Sequence, residues 1–171
     1  NLIIILMSLL LISCSDSDEL AGLNFDRNTF EKNRALWEVN KISNYKFSQV
    51  YSSLSIGSQP ELTSIVLNNE LDTIFVQSKF VSVNSMGELT YFGTVEDIYQ
   101  YIENKAEQLE IEINSSQNIM KGAAIEITYD EVLHYPTEIK CSGYYDKPLL
   151  GGLSINIVFS DFEVNPQQDS N

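Results

Sequence analysis

Basic residues are scarce in this chain. Ten Lys and Arg stand against 24 Asp and Glu, a formal charge of −14 at pH 7. That balance argues against nucleic acid, where cationic side chains must neutralise phosphates. It argues equally against docking on anionic lipid through a basic patch. His134 is the only histidine and there are two cysteines, so a zinc site would need several carboxylates. A Ser-His-Asp or Cys-His site would have to use His134, with Cys141 its only sequence neighbour of the right type. Gly151-Gly152 stands alone and precedes a strand pattern, which is not a phosphate-cradling loop. Asp16-Ser-Asp18-Glu19 lacks the glycine and distal glutamate of a calcium loop and reads as a solvated acidic linker. No metal and no cofactor are expected.

Long apolar runs are also missing. A membrane-spanning helix needs about 20 apolar residues. The run that opens the chain, residues 2–12, is roughly half that length and is apolar apart from Ser8. Ser13 and Cys14 follow at once, then the polar stretch Ser15-Asp-Ser-Asp-Glu19. Leu11-Ile12-Ser13-Cys14 resembles the lipobox of bacterial lipoproteins. The resemblance implies cleavage between Ser13 and Cys14, with Cys14 becoming a diacylglyceryl-modified, acylated N-terminus. Residues 1–13 are then a signal peptide, and one whose basic start and methionine lie further upstream. The alternative is a buried helix or strand with Cys14 as an ordinary core cysteine. The acidic residues that follow do not continue such an element. Several acyl chains, each gaining about 0.8 kcal/mol per buried methylene, hold a protein on a membrane far more firmly than one chain does.

What remains is long enough for one domain with its own core. Residues 14–24 read as the acylated cysteine and a flexible tether, residues 25–164 as the domain, and 165–171 as a disordered tail. With Cys14 taken, Cys141 has no disulfide partner. It shares a strand face with Ile139 and reads as a small buried apolar side chain.

A first helix is expected from Asn28 to Ile42, capped by Asn28 with Glu31 completing the box. Phe30 and Trp37 share one of its faces. Alternation then marks strands near 45–52, 61–67 and 72–83, with turns at Ser55–Pro60 and Asn68-Asn69-Glu70. A second helix starts at the Thr94 cap with Asp97 as its partner. Val95, Ile98, Ile102, Ala106 and Leu109 form its apolar stripe, and its end is open because Leu109, Ile111 and Ile113 alternate. Residues 115–122 read as a loop. Further strands are expected at 123–129, 137–145 and 152–164. The fold class is α+β in the order α-β-β-β-α-β-β-β, a twisted antiparallel sheet with helices packed on one face.

Between the two strands at 123–129 and 137–145, Asp130 can bond the backbone of a turn, His134 sits where a positive φ is useful, and Pro136 fixes an extended start to the next strand. This segment, Tyr129-Asp-Glu-Val-Leu-His-Tyr-Pro-Thr-Glu-Ile139, resembles that of a family of uncharacterised bacterial lipoproteins carrying Tyr-Asp, a spacer, and Gly-Tyr-Pro-Thr. Arg34, Leu36, Trp37 and the spaced Tyr45-Lys-Phe47 look like the family's opening. Thr94-Val-Glu-Asp-Ile-Tyr, with Tyr101-Ile102, looks like its central helix. Ile155-Asn-Ile157 and Phe162 look like its last strand. His134 replaces the family's glycine. The resemblance implies fold, export and anchoring in the cell envelope, in the periplasm or on the outer surface, and no chemistry.

Aromatics are the remaining feature. Tyr45, Phe47 and Tyr51 share a strand face, and Tyr129, Tyr135, Tyr144 and Tyr145 gather at the last hairpin. They fit core and sheet-face packing. The functional alternative is an exposed patch formed by Tyr45, Phe47, Tyr51, Tyr135, Tyr144 and Tyr145 that binds a protein, peptide or glycan. The expected function is therefore a monomeric, lipid-anchored, non-catalytic binding or envelope-associated module, whose membrane partner is reached through Cys14. The competing reading is a carboxylate-based envelope hydrolase, although among 24 acids some pair always lies close in space.

Overall fold

A computed structural model of the chain describes residues 21–77, 79–80 (backbone only), 89–115, 119–147 and 152–166. The expected signal peptide, Cys14 and most of the expected tether lie outside them, as do residues 81–83 of the third expected strand and 167–171 of the tail. The elements run β1 (Gly22–Phe25), α1 (Arg27–Asn40), β2 (Tyr45–Ser53), β3 (Gly57–Ser58), β4 (Leu62–Leu67), β5 (Glu70–Val76), β6 (Lys79–Phe80), α2 (Val95–Asn114), β7 (Met120–Tyr129), β8 (Pro136–Tyr145) and β9 (Ser154–Val164). They build one nine-stranded sheet in the order β1-β7-β8-β9-β2-β4-β5-β6, with β3 paired to β2.

The class is α+β, and the sheet is mixed. β1 lies parallel to β7, whereas all other pairs are antiparallel. β1 falls partly in the stretch read as tether, because Leu23 and Phe25 have only a short alternation to show and their partner Ala123–Ile125 is a hundred residues away. Asp26 follows β1 directly and caps α1, accepting from the Thr29 amide at 3.0 Å and the Thr29 hydroxyl at 2.7 Å. These bonds hold its carboxyl below the usual range. Asn28 is thus inside the first turn, and the cap lies two residues earlier than expected. Lys41, in the left-handed conformation, ends the helix.

Elsewhere the local chemistry behaves as read. Asn68 and Asn69 both take positive φ, the geometry of a two-residue type I′ hairpin between β4 and β5. Gln77, also at positive φ, divides the long third strand into β5 and β6. Thr94 and Asp97 form a reciprocal capping box on α2. That helix runs on to Asn114, with Ile111 outward and Ile113 packed on the core, so 3.6 periodicity wins over the apparent alternation. β7 begins at Met120, inside the stretch read as a loop. At the far end, Asn165 donates to the Asn44 carbonyl at 2.9 Å.

Both helices contribute to one core together with the inward residues of β2, β7, β8 and β9. β9 continues into it beyond Phe159 only by breaking its own alternation. Ile155, Ile157 and Phe159 point inward, and strict alternation would bring Asp161 in next. Instead β9 carries an extra residue opposite β2, where Lys46 and Ser48 pair with Glu163 and Ser160. Asp161 takes φ 51°, the left-handed position of such a bulge, and Phe162 turns inward in its place. Phe162 then stacks on Tyr135 at 4.2 Å and Tyr45 at 5.3 Å, and meets Trp37 edge-on at 6.0 Å.

A left-handed backbone costs an L-residue about 1–2 kcal/mol, more when the side chain is β-branched. Asp161→Val is therefore expected to lower stability by about that amount in urea unfolding followed by circular dichroism, while Asp161→Gly leaves it equal or higher. Equal midpoints for the valine and glycine variants would remove the bulge from the account.

Candidate functional site

Five of the six aromatic residues considered above as an exposed patch belong to the interior. Tyr45, Phe47 and Tyr135 are buried, and Tyr51 and Tyr145 pack on the flank of the same core. Tyr144 is half-buried near the end of β8. The reason is coverage: α1 and α2 lie over the strand face these rings share, so the stripe that alternation revealed is the covered one. Tyr45 stacks with Phe47 at 6.2 Å and meets Trp37 edge-on at 5.5 Å. The Tyr145 hydroxyl accepts the Leu153 amide at 2.8 Å. Its ring lies so close over Gly143 that a Cβ there would come within 2.8 Å of the hydroxyl oxygen.

His134 and Asp130 are turn residues. Asp130 Oδ1 accepts the amides of Val132 at 2.9 Å and Leu133 at 2.6 Å. His134 takes φ 67°, the positive value expected at its place in the turn, its Nδ1 lies 3.2 Å from Asn33 Oδ1, and its carbonyl accepts the Tyr99 hydroxyl at 2.5 Å. The imidazole is thereby engaged with Asn33 of α1. Cys141 is buried beside Ile139, and burial pushes its thiol up from the usual 9.0 to about 11, with Lys105 pulling the other way. At neutral pH it stays a thiol, which is a poor nucleophile.

The surface of the described residues carries hollows, among them one of about 640 Å³ beside Glu107, Glu110, Ile111, Asn114 and Ser115 at the end of α2, and two others. The first of these two, about 510 Å³, is lined by Trp37, Glu38, Lys41, Ile42, Asn69 and Glu96. It holds two carboxylates, and both are engaged. Glu96 accepts from Trp37 Nε1 at 2.9 Å and from the Tyr45 hydroxyl at 3.2 Å, and that hydroxyl accepts the Val95 amide at 3.0 Å. Glu38 pairs with Arg34 at 3.5 Å, and Arg34 in turn reaches Glu103 at 3.1 Å. Glu96 thus fastens α1 and the start of α2 to β2, and the Arg34–Glu103 pair joins the two helices.

The second hollow, about 410 Å³, lies on the opposite sheet face and is lined by Lys46, Ser48, Glu61, Thr63, Ile65, Phe75 and Asp161. Ser48 and Thr63 share a hydrogen bond at 3.0 Å, and Lys46 pairs with Glu163. Its donors, acceptors and apolar floor of Ile65 and Phe75 suit a polar ligand with apolar edges. The alternation of β2 alone would have offered Lys46 and Ser48; the others needed the pairing of β2, β4 and β5. Behind this region the Gln49 amide is fully used, donating to Ser64 Oγ at 3.1 Å and the Phe92 carbonyl at 2.8 Å and accepting the Phe92 amide at 2.8 Å. Among the described residues, no group of three or more His, Cys, Asp or Glu is placed to hold a metal ion. No family model matches the chain, and none of the curated proteins does.

Burial also raises the hydroxyls of Tyr45, Tyr51, Tyr99, Tyr101, Tyr129 and Tyr135 above the usual 10.0. The folded chain keeps protons there, and on Cys141, that the unfolded chain releases. Their stabilising effect is complete below pH 9 and is lost as pH rises, through about 11 for Cys141. Titration followed at the tyrosinate absorbance is expected to show these six ionising in one steep step coincident with unfolding. Six gradual ionisations in a chain that stays folded would contradict their burial.

Proposed function

We propose that this chain is an exported bacterial lipoprotein, held in the cell envelope by acyl chains on Cys14, and that its domain serves as a non-catalytic binding or envelope-associated module. The observation that carries the anchor is Leu11-Ile12-Ser13-Cys14 at the end of an apolar run too short to span a bilayer. The charge of −14 supports it, since such a surface does not hold itself to anionic lipid and attachment has to come from the acyl groups. The start of β1 at Gly22 also fits, because it leaves a short acidic connection between anchor and domain. Among the described residues no helix is long and apolar enough to cross a membrane.

The resemblance to the lipoprotein family is part of the same proposal. The Asp130 turn, the left-handed His134 and Pro136 at the start of β8 are compatible with its Tyr-Asp…Gly-Tyr-Pro-Thr segment. The binding role draws support from the open-face hollow around Ile65 and Phe75, and from the engagement of Glu38 and Glu96 in structural contacts. A protein, peptide or glycan ligand fits this mixture of polar and apolar groups.

Growth of producing cells with an alkyne-bearing palmitate is expected to label the chain and leave it in the membrane fraction. Cys14→Ala should abolish both labelling and sedimentation, while Cys141→Ala, in a buried position, should change neither. Label retained in Cys14→Ala would overturn the anchor.

A further inference from the structure

The two ends of the sheet differ in their chemistry. At one end lie the start of β1 at Gly22, the start of β7, the ends of β2 and β8, and the C-terminus of α2. At the other lie the Asp130–His134 turn, the Asn68-Asn69 hairpin and the N-terminus of α2. Among the described residues, the exposed leucine and isoleucines are Leu54, Ile56, Ile111 and Ile119, and all four belong to the Gly22 end. The exposed large residues elsewhere are valines. Leu54 (69 % exposed) and Ile56 (56 %) form the tip of the β2–β3 hairpin, and Ile119 (55 %) stands just ahead of β7, the strand that β1 pairs with.

Charge divides the same way at the hairpin. Residues 47–60, which contain Leu54 and Ile56, include no charged side chain. The turn at the opposite end carries Asp130, Glu131 and His134. Lys121 and Asp146, at the Gly22 end, neutralise each other at 3.2 Å. The last turns of α2 carry Glu107, Glu112 and Glu110, the last paired with Arg27 at 3.6 Å, and the sequence between Cys14 and Gly22 adds Asp16, Asp18 and Glu19.

We propose that the Gly22 end rests on the bilayer that holds the anchor, with Leu54 and Ile56 entering its interfacial layer. The inference rests on the Cys14 reading. Fully extended, the chain from Cys14 to Gly22 spans at most about 29 Å. The sheet from the level of Gly22 to the Asp130–His134 turn is about 30 Å tall. The far end therefore meets the membrane only with the connection drawn taut, whereas the Gly22 end reaches it with the connection slack. Two uncharged aliphatic side chains at a hairpin tip suit the apolar boundary of the headgroup region. The acids on α2 and in the connection repel anionic headgroups, so the surface that fits is one rich in zwitterionic lipid.

The test uses the mature chain, from Cys14 onward, coupled through the Cys14 thiol to maleimide-bearing lipid in phosphatidylcholine vesicles with brominated acyl chains. Cys141 is buried and does not compete. Trp37 is buried in the core and gives the baseline fluorescence. The indole added by Ile56→Trp is expected to lose about half its emission or more, as contact quenching at the interfacial depth requires. The indole added by Val132→Trp, at an exposed position in the opposite turn, should lose none. Equal quenching of the two, or quenching of neither, would overturn the proposal. Coupling places the anchor whether or not cells acylate Cys14. An unmodified Cys14 in the chain recovered from cells would thus refute the anchor reading separately, whatever the vesicles show.

Discussion

Tyr45 ties both helices to the sheet. Its ring fills the centre of the aromatic core, between Phe47 and Phe162 and against the edge of Trp37. Its hydroxyl accepts the Val95 amide, one of the donors a helix start leaves unpaired, and donates to Glu96, which also takes the Trp37 indole. One side chain therefore fixes where α2 begins, how α1 lies against it and where β2 sits beneath both. The bulge at Asp161 serves the same cluster by turning Phe162 inward. The Gln49 amide does the equivalent work for the segment leading into α2, bonding Phe92 as a neighbouring strand would.

Features with a local cause were legible in the sequence. The Thr94–Asp97 box, the Asn68-Asn69 hairpin, the Asp130 turn and the left-handed His134 each follow from what one side chain does to nearby backbone. The inward placement of Cys141 beside Ile139 follows from strand parity. Features with a distant cause were not legible. β1 exists because Ala123–Ile125 lie ready for it, and no local pattern announces a parallel partner so far along the chain. The inward turn of Phe162 depends on a register shift against β2. The stripe Tyr45, Phe47, Tyr51 was visible, but whether a stripe is covered or open is decided by where helices dock, and here they dock on it. For the same reason the hollow at Ser48, Thr63, Ile65 and Phe75, spread over three strands, could not be assembled from spacing alone.

Charge and anchoring fit together physically. A domain with 24 acids and 10 bases is well solvated and is pushed away from anionic surfaces. The proposed lipid at Cys14 would oppose that repulsion without requiring basic residues. In the proposed arrangement the uncharged hairpin tip and the exposed isoleucines face the membrane that holds the anchor, and the acidic turn lies at the opposite end of the sheet. The polar open face, with its hollow beside Lys46, is left free along the side of the domain.

The proposed anchor is a covalent modification of Cys14. Membranes from cells producing the full chain can be extracted with detergent, digested with trypsin and analysed by mass spectrometry for the N-terminal peptide. The expected product begins at Cys14, ends at Arg27 and carries the mass of a diacylglyceryl group. A peptide that reads through Ser13 into Cys14 with an unmodified thiol would contradict it.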